Sequence, residues 1–220
     1  MTLSFKIKTP YIIAEAGVNH NGNFILAKKL IKAAKSSKAD AVKFQIFKSN
    51  DISTTNTPMA LYQKKNLKKN ISQYEMLKNL ELTCENYFKL MEYAKSVKID
   101  FFVSVFEEKS LKFAEKKLRC KVIKIPSGEI TNYFLLKNLD INKYQIILST
   151  GMSNLKEITD ALNLISKKKV FSIFNNKIKI IDKKKYIFFK KKIIFLHCVS
   201  DYPAKKEYLN LNSIDTLFDN

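Results

Sequence analysis

Short, nearly continuous apolar runs rich in β-branched residues alternate along this chain with longer amphipathic stretches, and nothing else in the sequence constrains the fold as much. The runs are residues 11–16, 40–47, 99–106, 121–125, 144–150 and 193–199. Each has the length of one strand, and near-continuous apolarity predicts strands covered on both faces, as in a parallel sheet. Between them lie helical patterns at 23–37, 84–97, 107–117, 133–139 and 155–166. In the first, Leu26, Leu30, Ile31 and Ala34 share one face while Lys28, Lys29, Lys32 and Lys35 occupy the other. In the last, Ser153 is the expected N-cap, and Ile158, Ala161, Leu162 and Ile165 form the buried stripe.

Repeated strand–helix alternation implies an α/β fold with right-handed crossovers. An open doubly wound sheet and a closed barrel both satisfy it, but the sequence has neither GxGxxG nor a Walker loop. Polar and charged residues follow nearly every run, where (β/α)8 TIM barrels place their chemistry. The expectation is therefore an α/β chain of that type, incomplete, with about six of the eight βα units. Residues 1–220 are expected to form one partial barrel domain interrupted by two segments. Segment 48–82 is long for a βα connection, and such loops often cover substrate. Segment 167–192 is a lysine-rich insertion, either a hairpin or a disordered loop, to which the sequence assigns no function. A last helix is expected within 208–218.

The charge balance bears on partners. Forty Lys+Arg against twenty Asp+Glu give a net charge of +20, which raises a nucleic-acid reading. Arg119 is the only arginine, however, and the lysines are spread over many polar faces, so no nucleic-acid partner is expected. A cationic field that attracts anionic metabolites is the better reading. Cys84, Cys120 and Cys198 are odd in number and show no CxxC spacing, which suggests reduced thiols of a cytoplasmic protein. The first residues hold no long apolar run, and no membrane partner is expected.

The strand ends carry the candidate chemistry. Glu15 closes the first run and is followed by Gly17, Val18 and an Asn-His-Asn-Gly turn. Lys43 and Gln45 share one face of the second. A lysine inside an apolar strand is costly unless an anion meets it. Ser104 and Glu107 follow on the third, and Lys124-Ile125-Pro126-Ser127-Gly128-Glu129 on the fourth. Ser127 and nearby backbone N–H groups suit phosphate oxygens. The fifth ends in Ser149-Thr150-Gly151-Met152-Ser153, and the sixth in His197-Cys198-Val199-Ser200-Asp201-Tyr202-Pro203. Lys43 and Lys124 are expected to converge on one anion.

The ordered segments AEAGVNHNG, AVKFQIF, SQYEMLKNLEL, KIPSGEI, ILSTGMSN and LHCVSDYPA resemble the N-terminal barrel of the sialic acid synthase family, which includes neuraminate, legionaminate and pseudaminate synthases. The resemblance runs from about Tyr11 to Pro203 and lapses in the lysine-rich insertion. It implies condensation of phosphoenolpyruvate with an N-acetylated hexosamine to a nine-carbon 2-keto acid, with release of phosphate. By that resemblance Lys43, Gln45, Lys124 and Ser127 bind phosphoenolpyruvate, with Ser104 and Ser200 as further hydroxyl contacts. Glu129 handles the sugar or its protons, Glu15 lies near the reacting carbons, and Tyr202 faces the sugar. Ser104-Val105 stands where relatives often carry Thr-Pro. The resemblance also implies a divalent metal, manganese or magnesium, on histidines of a seventh and an eighth strand that are missing from this sequence. By the same resemblance the C-terminal antifreeze-like domain is expected to be missing, and a homodimer is expected of full-length members. Neither His20 nor His197 matches a ligand position, and His197 is expected to be a buried or supporting histidine. The chain alone is expected to lack turnover. The alternative is a non-catalytic phospho-ligand-binding or regulatory module.

Overall fold

The computed structural model describes residues 10–67, 71–175 and 177–219; the start of the chain read above for apolar runs, residues 1–9, lies outside them. The chain divides into two compact units, Met1–Ile123 and Lys124–Asn220.

The first unit begins with strand β1 (Ile13–Gly17), helix α1 (Phe24–Ser36) and strand β2 (Ala41–Ile46). Asn23 caps α1 by accepting from the Leu26 N–H, and Ala27, Ile31 and Ala34 form its buried stripe. Next come α2 (Ser49–Ile52), α3 (Leu61–Leu67), α4 (Gln73–Leu80) and α5 (Cys84–Ser96). Strand β3 (Asp100–Val105) and helix α6 (Glu108–Lys116) follow, and β4 (Val122–Ile125) begins. β1, β2 and β3 pair in parallel, and β2 is buried at every position but one. That burial is why the second run reads as continuous rather than alternating apolar. Leu90 and Ala94 on α5 are fully enclosed with Ile31 of α1; burying each large aliphatic side chain contributes about 1.5–3 kcal/mol.

Segment 48–82 is not an open loop. Its described residues form three helices, and its two ends are joined by Glu81, whose carboxylate accepts from the Ser49 N–H (2.8 Å), the Ser49 hydroxyl (2.6 Å) and Lys48 Nζ (3.0 Å). Burial pushes that carboxyl up, but the Ser49 and Lys48 bonds outweigh it and bring it down to about 2. Ser72 and Glu75 form a reciprocal capping box on α4.

The second unit contains α7 (Tyr133–Asn138), β5 (Gln145–Ser149) and α8 (Leu155–Ser166). It then forms a hairpin of β6 (Phe171–Phe174) and β7 (Lys177–Ile180), followed by α9 (Lys183–Lys190), β8 (Ile193–Leu196) and α10 (Asn212–Asp219). β5 and β8 pair in parallel, whereas β6 and β7 form a separate antiparallel pair. The insertion is thus a hairpin plus a helix. One detail departs from expectation: Asn154, not Ser153, caps α8. Its side chain accepts from the Glu157 N–H while Glu157 returns to the Asn154 N–H, and the Ser153 hydroxyl turns inward to the Gly151 carbonyl.

Candidate active site

In the first unit the parallel register sets Glu15 of β1 opposite Lys43 of β2, and Gln45 opposite Ser104 of β3. Lys43 is only 9% exposed. Its ammonium pairs with the Glu15 carboxylate and donates to Ser104 Oγ at 3.1 Å. Gly17 adopts φ +51°, and a Cβ there would lie 2.9 Å from Glu15 Oε1 and 3.6 Å from Gln45 Nε2. Glycine therefore leaves room for both side chains beside the bulge at the end of β1. Four sequence-predicted residues, Glu15, Lys43, Gln45 and Ser104, are brought together here. Glu107 is not among them: it caps α6, accepting from the Ser110 N–H at 2.9 Å.

The Asn-His-Asn-Gly turn beside this cluster holds a histidine the sequence left without a role. His20 is fully buried, its ring centroid 5.9 Å from that of Phe44. Nδ1 accepts from the Gly22 N–H at 3.1 Å, which leaves the proton of the neutral ring on Nε2, an enclosed atom with no hydrogen-bond partner. Burial pulls the imidazole below its usual value. Sequence reasoning missed it because a lone histidine in a turn composition carries no burial signal.

In the second unit Lys124 is 7% exposed and donates to the Ile125 carbonyl at 2.7 Å. Ser127 opens a 3-10 turn through Glu129, and its hydroxyl lies 3.2 Å from Cys198 Sγ. A Cβ on Gly151 would meet the Cys198 carbonyl and Ser200 Oγ at 2.9 Å and Ser127 Oγ at 3.0 Å. Ser127, Ser200 and Cys198 therefore close around one glycine backbone, and Ser200 Oγ is enclosed without a hydrogen-bond partner. Burial pushes the Cys198 thiol up, but bonds from Ser127, Ser149 and the Gly151 backbone, with the charge of Lys124, leave it below its usual value. Glu129 is half-buried; burial raises its carboxyl, and the bond from Asn132 Nδ2 at 2.7 Å only partly offsets this. Tyr202 is 64% exposed, away from such enclosure. His197 is half-buried with Nε2 2.6 Å from the Leu209 carbonyl.

The first unit thus presents a buried strand lysine with the Ser104 hydroxyl and the Gln45 amide, and the second a buried strand lysine with the Ser127 and Ser200 hydroxyls, donor groups suited to a small phosphorylated anion. The described residues do not fit a metal: no three His, Cys, Asp or Glu side chains among them converge.

Parallel strands followed by helices, with polar residues at the strand ends, are the pattern of α/β barrel-type enzymes. Residues 30–220 match the NeuB family, and the chain belongs to that family. It is 42% identical over 211 residues to the N,N'-diacetyllegionaminic acid synthase of Legionella pneumophila, covering 96% of this chain and 54% of that protein. The Campylobacter jejuni enzyme of the same name is 41% identical over 213 residues, with 97% and 58% covered. The crystal structure of the N-acetylneuraminic acid (sialic acid) synthetase of Leptospira borgpetersenii superposes with a TM-score of 0.71 at 30% identity, covering 96% of this chain and 62% of that one. The expected family and its α/β barrel-type fold are borne out. The chain spans about half the length of the curated relatives it matches.

Proposed function

We propose that this chain is the phosphoenolpyruvate-gripping part of a sialic-acid-type synthase that joins phosphoenolpyruvate to an N-acetylated hexosamine and releases phosphate. The observation that carries the reading is Lys43, buried in a strand between Glu15 and Ser104 with Gln45 alongside. A buried ammonium already neutralised by a carboxylate accepts a competing anion without a new desolvation cost on the lysine. Phosphoenolpyruvate carries about three negative charges, and Lys43 with the Ser104 hydroxyl and the Gln45 amide gives it fixed donors. In the second unit Lys124, Ser127 and Ser200 are a further donor group for the same class of ligand.

In the reaction, C3 of phosphoenolpyruvate attacks the aldehyde carbon of the open-chain sugar, and that oxygen takes a proton. Water adds at the C2 cation so formed and gives up a proton; the C2 hydroxyl then loses its proton as the C–O bond to phosphate breaks, leaving the 2-keto acid and inorganic phosphate. Glu129 has its carboxyl held above the ordinary range by burial, which suits a group that must both give and take a proton near neutral pH. A divalent metal, in the whole protein, would need ligands beyond those that the described residues bring together.

The test is a calorimetric titration of the chain with phosphoenolpyruvate, pyruvate and inorganic phosphate. Phosphoenolpyruvate is expected to bind more tightly than either fragment, because carboxylate and phosphate are gripped together. Equal affinity for phosphate alone, or no binding of phosphoenolpyruvate, would overturn the proposal.

A further inference from the structure

We propose that residues 167–192 form a cationic docking surface for an anionic phospholipid bilayer, a role independent of the phosphoenolpyruvate reading. Eleven lysines and one aspartate fall in this segment, so half of the chain's net charge of +20 is concentrated there. A general preference for lysine does not produce that concentration. Nine of the eleven side chains are exposed, and among the described residues none forms a salt bridge. Lys167 alone acts on a carboxyl group, that of Asp140. Asp182, the segment's one acid, is occupied in capping α9 through the Lys185 N–H at 2.9 Å.

Six of the eleven lysines sit on β7 and α9. Phe171 of β6 lays its ring against Phe189 (5.5 Å) and Tyr186 (6.2 Å) of α9, and Phe189 is buried. The hairpin register pairs Phe174 with Lys177 and Ser172 with Lys179, which places both lysines and Phe174 on one face. Lys179 Nζ sits 3.7 Å from the Phe174 ring centroid. On α9, Lys183, Ile187 and Lys190 follow one another at helical spacing on the side away from Phe189.

Apolar side chains stand exposed among these cations: Phe174 at 55%, Ile181 at 53% and Ile187 at 60%. Lysines with exposed aliphatic and aromatic groups between them match an anionic lipid surface, where headgroups take the ammonium groups and the apolar tips enter the interface. A nucleic-acid partner is disfavoured because the segment contains no arginine to grip phosphate bidentately. The proposed contact is peripheral: among the described residues no helix is long and apolar enough to cross a bilayer.

The test is co-sedimentation of the full chain with phosphatidylcholine vesicles, with and without one third phosphatidylglycerol, at low and high salt. Binding is expected only to the anionic vesicles and is expected to fall as salt rises. Replacing Lys183, Lys184, Lys190 and Lys191 by Gln is expected to lower the partition coefficient about tenfold or more. A matched variant with Lys29, Lys32, Lys64 and Lys65 replaced by Gln, equal in net charge, is expected to retain it. Circular dichroism confirms that both variants fold. Equal losses in the two variants would reduce the effect to bulk charge and overturn the proposal. Indifference to phosphatidylglycerol would overturn it, as would capture by RNA without capture by vesicles.

Discussion

Lys43 is held by Glu15, its register partner on the neighbouring strand, so the charge buried in β2 is neutralised before any ligand arrives. This accounts for how an apolar strand tolerates a lysine: the cost of burial is met inside the sheet.

The first prediction concerns that lysine. Lys43→Met keeps the unbranched side chain up to the ε position and removes the ammonium; Glu15, half exposed in its side chain, is left to water. Stability in urea is expected to change by no more than about 1 kcal/mol, because the Glu15 carboxylate left behind is solvated and not trapped as a buried unpaired charge. Affinity for phosphoenolpyruvate is expected to fall about tenfold to a hundredfold in the same preparation. Unchanged affinity would show that Lys43 serves only the sheet.

His20 makes stability depend on pH in the mildly acidic range. Its folded-state affinity for protons is lowered by burial from an ordinary value of 6.5. The unfolded chain therefore binds more protons below that pH, and the stability from neutral His20 is present above 6.5 and lost as pH falls through the depressed value. His20→Asn retains an acceptor for the Gly22 N–H without titrating. Its urea midpoint is expected to vary less than that of the parent chain between about pH 5 and 7.

Glu129 acts with the opposite sign. Burial raises its carboxyl above the ordinary 4.5, so the folded chain binds the proton more tightly and stability falls as pH rises through the window above 4.5. Glu129→Gln accepts from Asn132 through its amide oxygen and carries no charge. Urea unfolding is expected to show this variant more stable than the parent near neutral pH, with the difference vanishing at acid pH. A difference independent of pH would rule out titration as its source.

Gly22 adopts φ +70°, and a Cβ there would lie 2.5 Å from the Asn79 carbonyl oxygen. Gly22→Ala is expected to cost about 2–4 kcal/mol, combining left-handed strain with a backbone collision. Gly128 has nothing within 4 Å of the same position, so Gly128→Ala is expected to stay within about 1 kcal/mol. Thermal unfolding of the pair measures both.

Much of this was legible in the sequence because strand and helix periods are local. The six runs predicted as strands became β1 to β5 and β8, and α1, α5, α6, α7 and α8 lie within two residues of their predicted bounds. The lysines of β2 and β4 were singled out by the improbability of an ammonium in an apolar run. The cap of α8 was misplaced by one residue because Ser and Asn both suit the position, and only the hydrogen bonds of the turn choose between them. The helices of segment 48–82 were missed because they are short and polar, and their anchor, Glu81, sits far along the chain from Ser49.

The order of the elements, the residue types at the strand ends and the concentration of charge in 167–192 were determined by the sequence alone, since each depends on neighbours along the chain. Which partners those residues take was decided by tertiary structure: Glu15 with Lys43, Ser127 with Cys198, and His20 enclosed beside Phe44. Parallel pairing joins residues many positions apart, so register and desolvation are consequences of the folded sheet.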